Sequence, residues 1–312
     1  MKPPAVDSLL LLEGVSRAGK MLLGKLVSNC RNIEFFQLAP VLDHIPILAH
    51  LGVLSRENAV AYLRLNVDSL SYDRAVGRNL NTRTGDATSL TQALNLDEYL
   101  GRAATPDAAT AWERFQKVRR TPAYLVHEMM PHIDLYFDAV PELRVIHVDR
   151  HPVDLCYSWF QRGWGDRWGT DPLAFVPAID HHGRPVPWFA VDWADEYCSA
   201  APVDRIVRSL VQLREQYRAK FDGLSTNRNQ RIARIAYEGL VEHPWETMKS
   251  VEAFLDTAVL DGFATVLKRE RLPGKPPAGD RCDKLTRLAS IMLPRSAEML
   301  AAAARDYETL WA

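Results

Sequence analysis

Three groups of residues in this sequence have types and spacings suited to chemistry on an anion. The first is GVSRAGK, from Gly14 to Lys20. G-x-x-x-x-G-K is the skeleton of a loop whose backbone N–H groups converge on a phosphate, backed by the positive end of the helix that follows. Gly14 and Gly19 permit close approach and dihedrals closed to other residues. Arg17 and Lys20 add positive charge. A nucleotide triphosphatase places Ser or Thr after the lysine, where the hydroxyl holds Mg²⁺. Here Met21 stands in that place, and a thioether is a poor ligand for a hard cation. The loop therefore reads as a phosphate cradle without the usual magnesium ligand. The second group is RHPVDLCYS, Arg150 to Ser158. A guanidinium there can fork onto a phosphate, and the Ser158 hydroxyl can donate to the same group. The third is His127–Glu128, a pair able to act as general base: histidine titrates near neutrality, and a buried glutamate can be raised toward it.

These groups need elements to hold them. Leu9 to Leu12 is a short apolar run of strand length, and Met21 to Val27 resumes an apolar pattern at helical spacing. Asn32 to Leu38 reads as a second strand or extension. Ala39 to Leu54 reads as a helix broken by Pro40 and Pro46, and Ser55 opens a helix with an acid in its first turn. Asp73 to Thr91 is polar and glycine-punctuated, a loop, followed by helices over Leu90 to Leu100 and Pro106 to Val118. Thr121 to Glu128 and Leu143 to Val148 read as buried strands that deliver His127–Glu128 and Arg150 to their carboxyl ends. Pro131 to Ala139 and Val153 to Phe160 read as helices. Pro152 suits a first helical turn, and Asp154 within it favours the helix dipole. Gly163 to Trp193, rich in Gly, Pro, His and Trp, reads as an irregular lid or pocket wall. A long helix over Asp204 to Leu224, a strand over Arg231 to Ala236, a helix over Trp245 to Leu255, a loop over Pro273 to Gly279 and a closing helix over Ser296 to Trp311 complete the chain. Apolar strands alternating with helices predict an α/β fold with a mostly parallel central sheet flanked by helices. Ligands of such sheets sit beyond the carboxyl ends of the strands.

The 312 residues, 47% hydrophobic and 25% charged, suffice for one large α/β domain. We read residues 1–312 as a single domain, with 73–120 and 163–200 as insertions forming an acceptor pocket or lid. A formal net charge of −1 gives no global basic field for nucleic acid, so an anion site must be a local cluster. Cys30, Cys156, Cys198 and Cys282 are far apart and form no CxxC pair, which points to reduced thiols. No apolar run reaches membrane-span length, and the default is a soluble, cytoplasmic protein.

The string RHPVDLCYS, as R-x-P-x-D-x-x-x-S after an apolar strand, resembles the 3′-phosphate motif of sulfotransferases that use 3′-phosphoadenosine 5′-phosphosulfate (PAPS). GVSRAGKMLL resembles the same family's 5′-phosphosulfate loop, commonly written R-S-G-T-T or K-S-G-T-T. RIARIAYEGLVEHPWETMKSVEAFL, Arg231 to Leu255, is similar to the family's Y-E-D-L, D-P and F-L segment. The three pieces follow the family's order across Leu9 to Leu255. The resemblance implies a sulfotransferase fold of the P-loop nucleoside-triphosphate-hydrolase type. It places Arg17 beside the transferring sulfonate, and Ala18, Gly19, Lys20, Met21 and Leu22 around the 5′-phosphosulfate. It assigns Arg150 and Ser158 to the 3′-phosphate, and Tyr237 to the neighbourhood of the adenine. Lys20 and Met21 replace two hydroxyl residues of the family pattern, so the hydrogen bonding of the cradle differs. The family's late Gly- and Lys-containing loop is echoed faintly by LPGKPPAGDR, with Lys275, Gly279 and Arg281 as candidates.

The implied reaction moves a sulfonate in line from PAPS to a hydroxyl or amine, releasing adenosine 3′,5′-bisphosphate. Catalysis then rests on positioning and on cations aimed at the leaving phosphate oxygen, here Arg17 and Lys20, with no metal required. His127 is the first candidate for the base and Glu128 the second. Glu34 is the third, because some bacterial relatives carry their base in that region. The acceptor is a small molecule or carbohydrate, and the motifs name no single one and no oligomeric state. The alternatives are an ATP-dependent small-molecule kinase, favoured by GxxxxGK and opposed by Met21, and a catalytically silent nucleotide-binding module. His44, His50, His132, His147, His181, His182 and His243 show no metal-ligand spacing, and His181–His182 reads as surface. Trp159, Trp164, Trp168, Trp188 and Trp193 are dense enough to suggest an aromatic wall for a ring-bearing acceptor, beside the plainer reading of core packing.

Overall fold

A computed structural model describes residues 4–275 and 277–311. Met1 to Pro3 of the amino-terminal stretch, and Pro276 in the loop expected over Pro273 to Gly279, lie outside the described residues. The reading of one domain over 1–312 meets a chain that packs as two compact units, each assembled from three separated segments. The first comprises Met1–Val148, Ser225–Ile235 and Gly239–Gly274; the second comprises Asp149–Leu224, Ala236–Glu238 and Lys275–Ala312.

The strands in chain order are β1 (Ser8–Glu13), β2 (Gln37–Leu38), β3 (Ala123–Leu125), β4 (Glu142–Asp149), β5 (Ala178–His181), β6 (Arg184–Pro187) and β7 (Ile232–Ala236). The first unit is built on a five-stranded parallel sheet in the order β2-β3-β1-β4-β7, flanked by helices. The α/β class expected from the alternation of strands and helices is the class observed. Leu9, Leu10, Leu11 and Leu12 are all fully buried, because β1 is central and both faces of a parallel sheet are covered. Each such leucine contributes about 1.5–3 kcal/mol, which makes β1 a firm stem for the loop at its carboxyl end. The register pairs Leu12 with Leu125 of β3 and Glu13 with His147 of β4. The carboxyl ends of β1, β3 and β4 therefore finish side by side.

The helix expected to break within Ala39 to Leu54 runs unbroken over Pro40–His50, with Pro40 in its first turn and Pro46 inside it. Proline removes the N–H that would bond to the carbonyl four residues back, which is that of Leu42. The Tyr136 hydroxyl donates to that carbonyl instead, at 2.6 Å, and the helix survives.

The second unit is mainly helical. Helix Pro152–Gln161 follows β4, helix Pro202–Gly223 is the longest element, and helices Arg281–Ala289 and Pro294–Leu310 close the chain. The segment expected to be irregular carries a helical turn at Trp164–Arg167 and the antiparallel hairpin β5–β6. Most of its tryptophans are core. Trp159 packs edge-on to Trp168 at 4.7 Å, and Trp168 edge-on to Phe189 at 4.9 Å. Trp159, Trp168, Trp188 and Trp193 are buried and Trp164 half-buried. The aromatic-wall reading gives way to packing.

Candidate active site

In the first unit, the chain leaves β1 at Glu13 and turns through Gly14 to Gly19 into helix Lys20–Val27. Gly14, Arg17 and Gly19 all have positive φ, at 147°, 73° and 110°. A Cβ on Gly14 would collide with the Val148 carbonyl, so the close passage of the loop over β4 requires glycine. Alternation of such conformations turns successive N–H groups inward. No side chain caps helix Lys20–Val27, whereas Ser55 and Asp107 cap their helices with their own oxygens. The loop already donates to an anion: the Ser16 N–H bonds the Glu128 carboxylate. A loop with these properties fits the 5′ end of a phosphosulfate donor.

Lys20 is buried and its ammonium donates to the Gly14 carbonyl. Burial pulls its pKa below the ordinary lysine range, against the attraction of Glu128, Glu13 and Asp43. Arg17 is exposed, Ala18 buried, and Met21 and Leu22 half-buried. The motif residues Gly14 to Leu22 thus stand together at the end of β1, as the sequence indicates.

His127 and Glu128 follow β3. The Asp43 carboxylate accepts from the His127 backbone N–H at 3.1 Å and meets the ring Nδ1 at 3.0 Å. A carboxylate at Nδ1 places the ring proton there and presents Nε2 as the proton acceptor. The His127 side chain is one-third exposed. Glu128 is buried and holds a left-handed backbone at φ 57°. Asp43 escapes the sequence reading. Its one signal is a lone carboxylate in the apolar run PVLDHIPILA.

Glu13 and His147 form a second pair that the motifs leave unmarked. The Glu13 carboxylate, fully buried, accepts from the Met129 and Met130 N–H groups at 3.0 and 3.1 Å and meets His147 Nδ1 at 2.6 Å. It holds the start of the loop to the chain just past Glu128.

Glu34, the third candidate base, is buried among arginines. Arg102 grips both its oxygens at 2.8 Å, and Arg120 and Arg74 stand at 3.5 and 3.8 Å.

In the second unit, Asp149 Oδ1 accepts the Arg150 N–H at 2.9 Å and an Arg214 N–H at 2.7 Å. The Arg150 guanidinium lies over the Tyr237 ring, 4.5 Å from its centroid, a cation–π contact that fixes its plane. Tyr237, assigned to the adenine by resemblance, is in this structure the platform for Arg150. His151 caps helix Pro152–Gln161: its Nδ1 accepts the Val153 N–H at 3.3 Å. Ser158 is half-buried on that helix, one turn beyond Asp154. The Asp154 carboxylate is fully buried between Arg281, at 3.1 and 3.2 Å, and Lys284 at 2.8 Å. Arg281 also reaches Glu238 at 3.3 Å. Lys275 is exposed. Arg281 and Lys284, on helix Arg281–Ala289, are the late basic residues that join this cluster. Lys284 escapes the sequence reading, although Asp280 four residues earlier pairs with it at 2.6 Å.

No family model and no curated protein sequence matches the chain. Solved structures of sulfotransferases align with it, the class that the motifs resemble. The sulfotransferase domain of the Synechococcus PCC 7002 olefin synthase aligns over 99% of this chain and 97% of its own, at 13% identity and a TM-score of 0.49. A sulfotransferase domain from the curacin biosynthetic pathway covers 90% of this chain and 80% of its own, at 12% identity and 0.46. A sulfotransferase from Alicyclobacillus acidocaldarius covers 98% and 97%, at 14% identity and 0.41. TM-scores of 0.49 or less make these distant likenesses, and the chemistry of the chain rests on its own residues.

Proposed function

We propose that the chain is a sulfotransferase that moves a sulfonate from PAPS to a hydroxyl or amine acceptor. The observation that carries this reading is the loop Gly14 to Lys20. It combines three positive-φ residues, an uncapped helix and an N–H already donating to a carboxylate, with Met21 where a magnesium-binding hydroxyl would stand. Such a loop suits an anion whose transfer leans on cations of the protein.

When bound, the donor supplies an activated sulfonate on a phosphate leaving group. The loop amides orient that phosphate, and Ser16 exchanges the Glu128 carboxylate for it. Arg17 and Lys20 offset the charge that grows on the leaving oxygen. In the second unit, Arg150, its plane held by Tyr237, and Ser158 take the 3′-phosphate. His127, steered by Asp43, accepts the acceptor's proton at Nε2. Glu128, displaced from Ser16, is the second candidate for that role. Residues 73–120 and 163–200 are proposed as insertions that serve acceptor binding.

Calorimetry with adenosine 3′,5′-bisphosphate tests the reading. Saturable binding that Arg150→Ala weakens at least about tenfold is expected. Failure to bind, with magnesium–ATP binding in its place, would overturn it in favour of a kinase.

A further inference from the structure

The hairpin β5–β6 pairs His181 with Arg184 and turns on His182 and Gly183. Both turn residues have positive φ, at 53° and 77°, the conformation of a two-residue type I′ turn. That turn favours Asn, Asp or Gly at its first centre, and histidine is an unusual occupant. The turn brings the His182 ring to 4.5 Å from that of His181, edge to face. Asp195, in the first turn of helix Ala194–Ser199, meets His181 Nε2 at 2.8 Å. One ligand atom from each of His181, His182 and Asp195 lies within 4.8 Å of the others.

We propose that these three residues bind a divalent transition-metal ion of zinc's class. Two imidazoles and a carboxylate are the donor set of three-ligand zinc sites, with water in the fourth position. Nitrogen donors disfavour calcium and magnesium, which take oxygen. Ligands at about 2.0–2.1 Å in a tetrahedron stand roughly 3.3 Å apart, so the His181–Asp195 contact needs to open only slightly. The ion replaces the proton shared in that contact, which leaves to solvent. Asp195 is exposed, which gives the ion a way in. Bound there, it ties the hairpin to helix Ala194–Ser199. The site uses none of the residues proposed to hold the donor and does not depend on the reading of the loop.

The full chain, stripped with chelator and dialysed, is titrated with zinc chloride by calorimetry and followed by thermal unfolding. One zinc per chain and a raised midpoint are expected. His182→Asn and Asp195→Asn should each weaken binding at least about tenfold, since even an outer-shell change costs roughly 10–100-fold. Asn suits the turn, so a folded His182→Asn protein separates lost ligation from lost structure. Cobalt in place of zinc should give the visible d–d absorption of a four-coordinate ion, and Arg150→Ala should bind zinc like the parent. Absence of saturable binding, or equal binding by parent and both Asn variants, would overturn the proposal and leave a hydrogen-bonded His–Asp pair.

Discussion

At the scale of single residues, the site turns on how His127 is held. Asp43 contacts both the backbone N–H and the ring of His127, so its effect should fall on proton transfer. Asp43→Asn is expected to lower kcat by about 10–100-fold, less than the 10²–10⁴ that a general base itself contributes. Donor affinity should stay unchanged or tighten, because Asp43 also attracts Lys20. Steady-state kinetics beside calorimetry separate the two, and weakened donor binding with intact kcat would reject the role. The loop's glycines and cations are legible in sequence because their spacing is the mechanism. Asp43 is not, because its meaning depends on His127 arriving 84 residues later. The surroundings of Glu34 are hidden for the same reason: only the fold brings Arg74, Arg102 and Arg120 around it.

At the scale of elements, buried charge and helix capping set the expected sensitivities. Arg102 and Glu34 are both buried, and removing one partner of such a pair costs about 3–5 kcal/mol. Arg102→Ala should therefore lower the urea midpoint sharply, and a midpoint like the parent's would mean the pair is solvated. His151 offers a pH signature. Burial and the nearby Arg281 push its pKa below the ordinary value, and its cap to Val153 needs an unprotonated Nδ1. Between the lowered value and about 6.5 the unfolded chain binds a proton that the folded chain refuses. This contribution to stability is complete above about pH 6.5 and declines as pH falls. His151→Asn keeps a capping oxygen and should shrink the loss of urea midpoint between neutral and mildly acid pH; an unaltered loss would rule the residue out as its source. Runs such as Leu9 to Leu12 announce their strands because burial on both faces leaves no other pattern. Helix Arg281–Ala289 has only Leu288 buried along its length, so no apolar stripe marks it. Pro46 argues for a break, and the partner that satisfies the carbonyl it leaves free, Tyr136, is 94 residues from Leu42.

At the scale of the molecule, the loop belongs to one unit and Arg150 to the other. If Arg150 holds the 3′-phosphate of the donor, that phosphate should matter only while Arg150 is present. Adenosine 3′,5′-bisphosphate should bind the parent at least about tenfold tighter than adenosine 5′-phosphate, a difference of roughly 1.4 kcal/mol, and Arg150→Ala should erase that preference. A preference that persists in the variant would separate Arg150 from the ligand. The threading of the units also has a consequence for biosynthesis. β4 ends at Asp149 and its neighbour β7 begins at Ile232. A ribosome needs roughly 4–16 s to make the eighty or so residues between them. Through that interval the nascent sheet offers β4 as an open edge, the kind that recruits stray chains. Yield from rapid overexpression should therefore depend on chaperone supply more than the mature protein's stability would suggest.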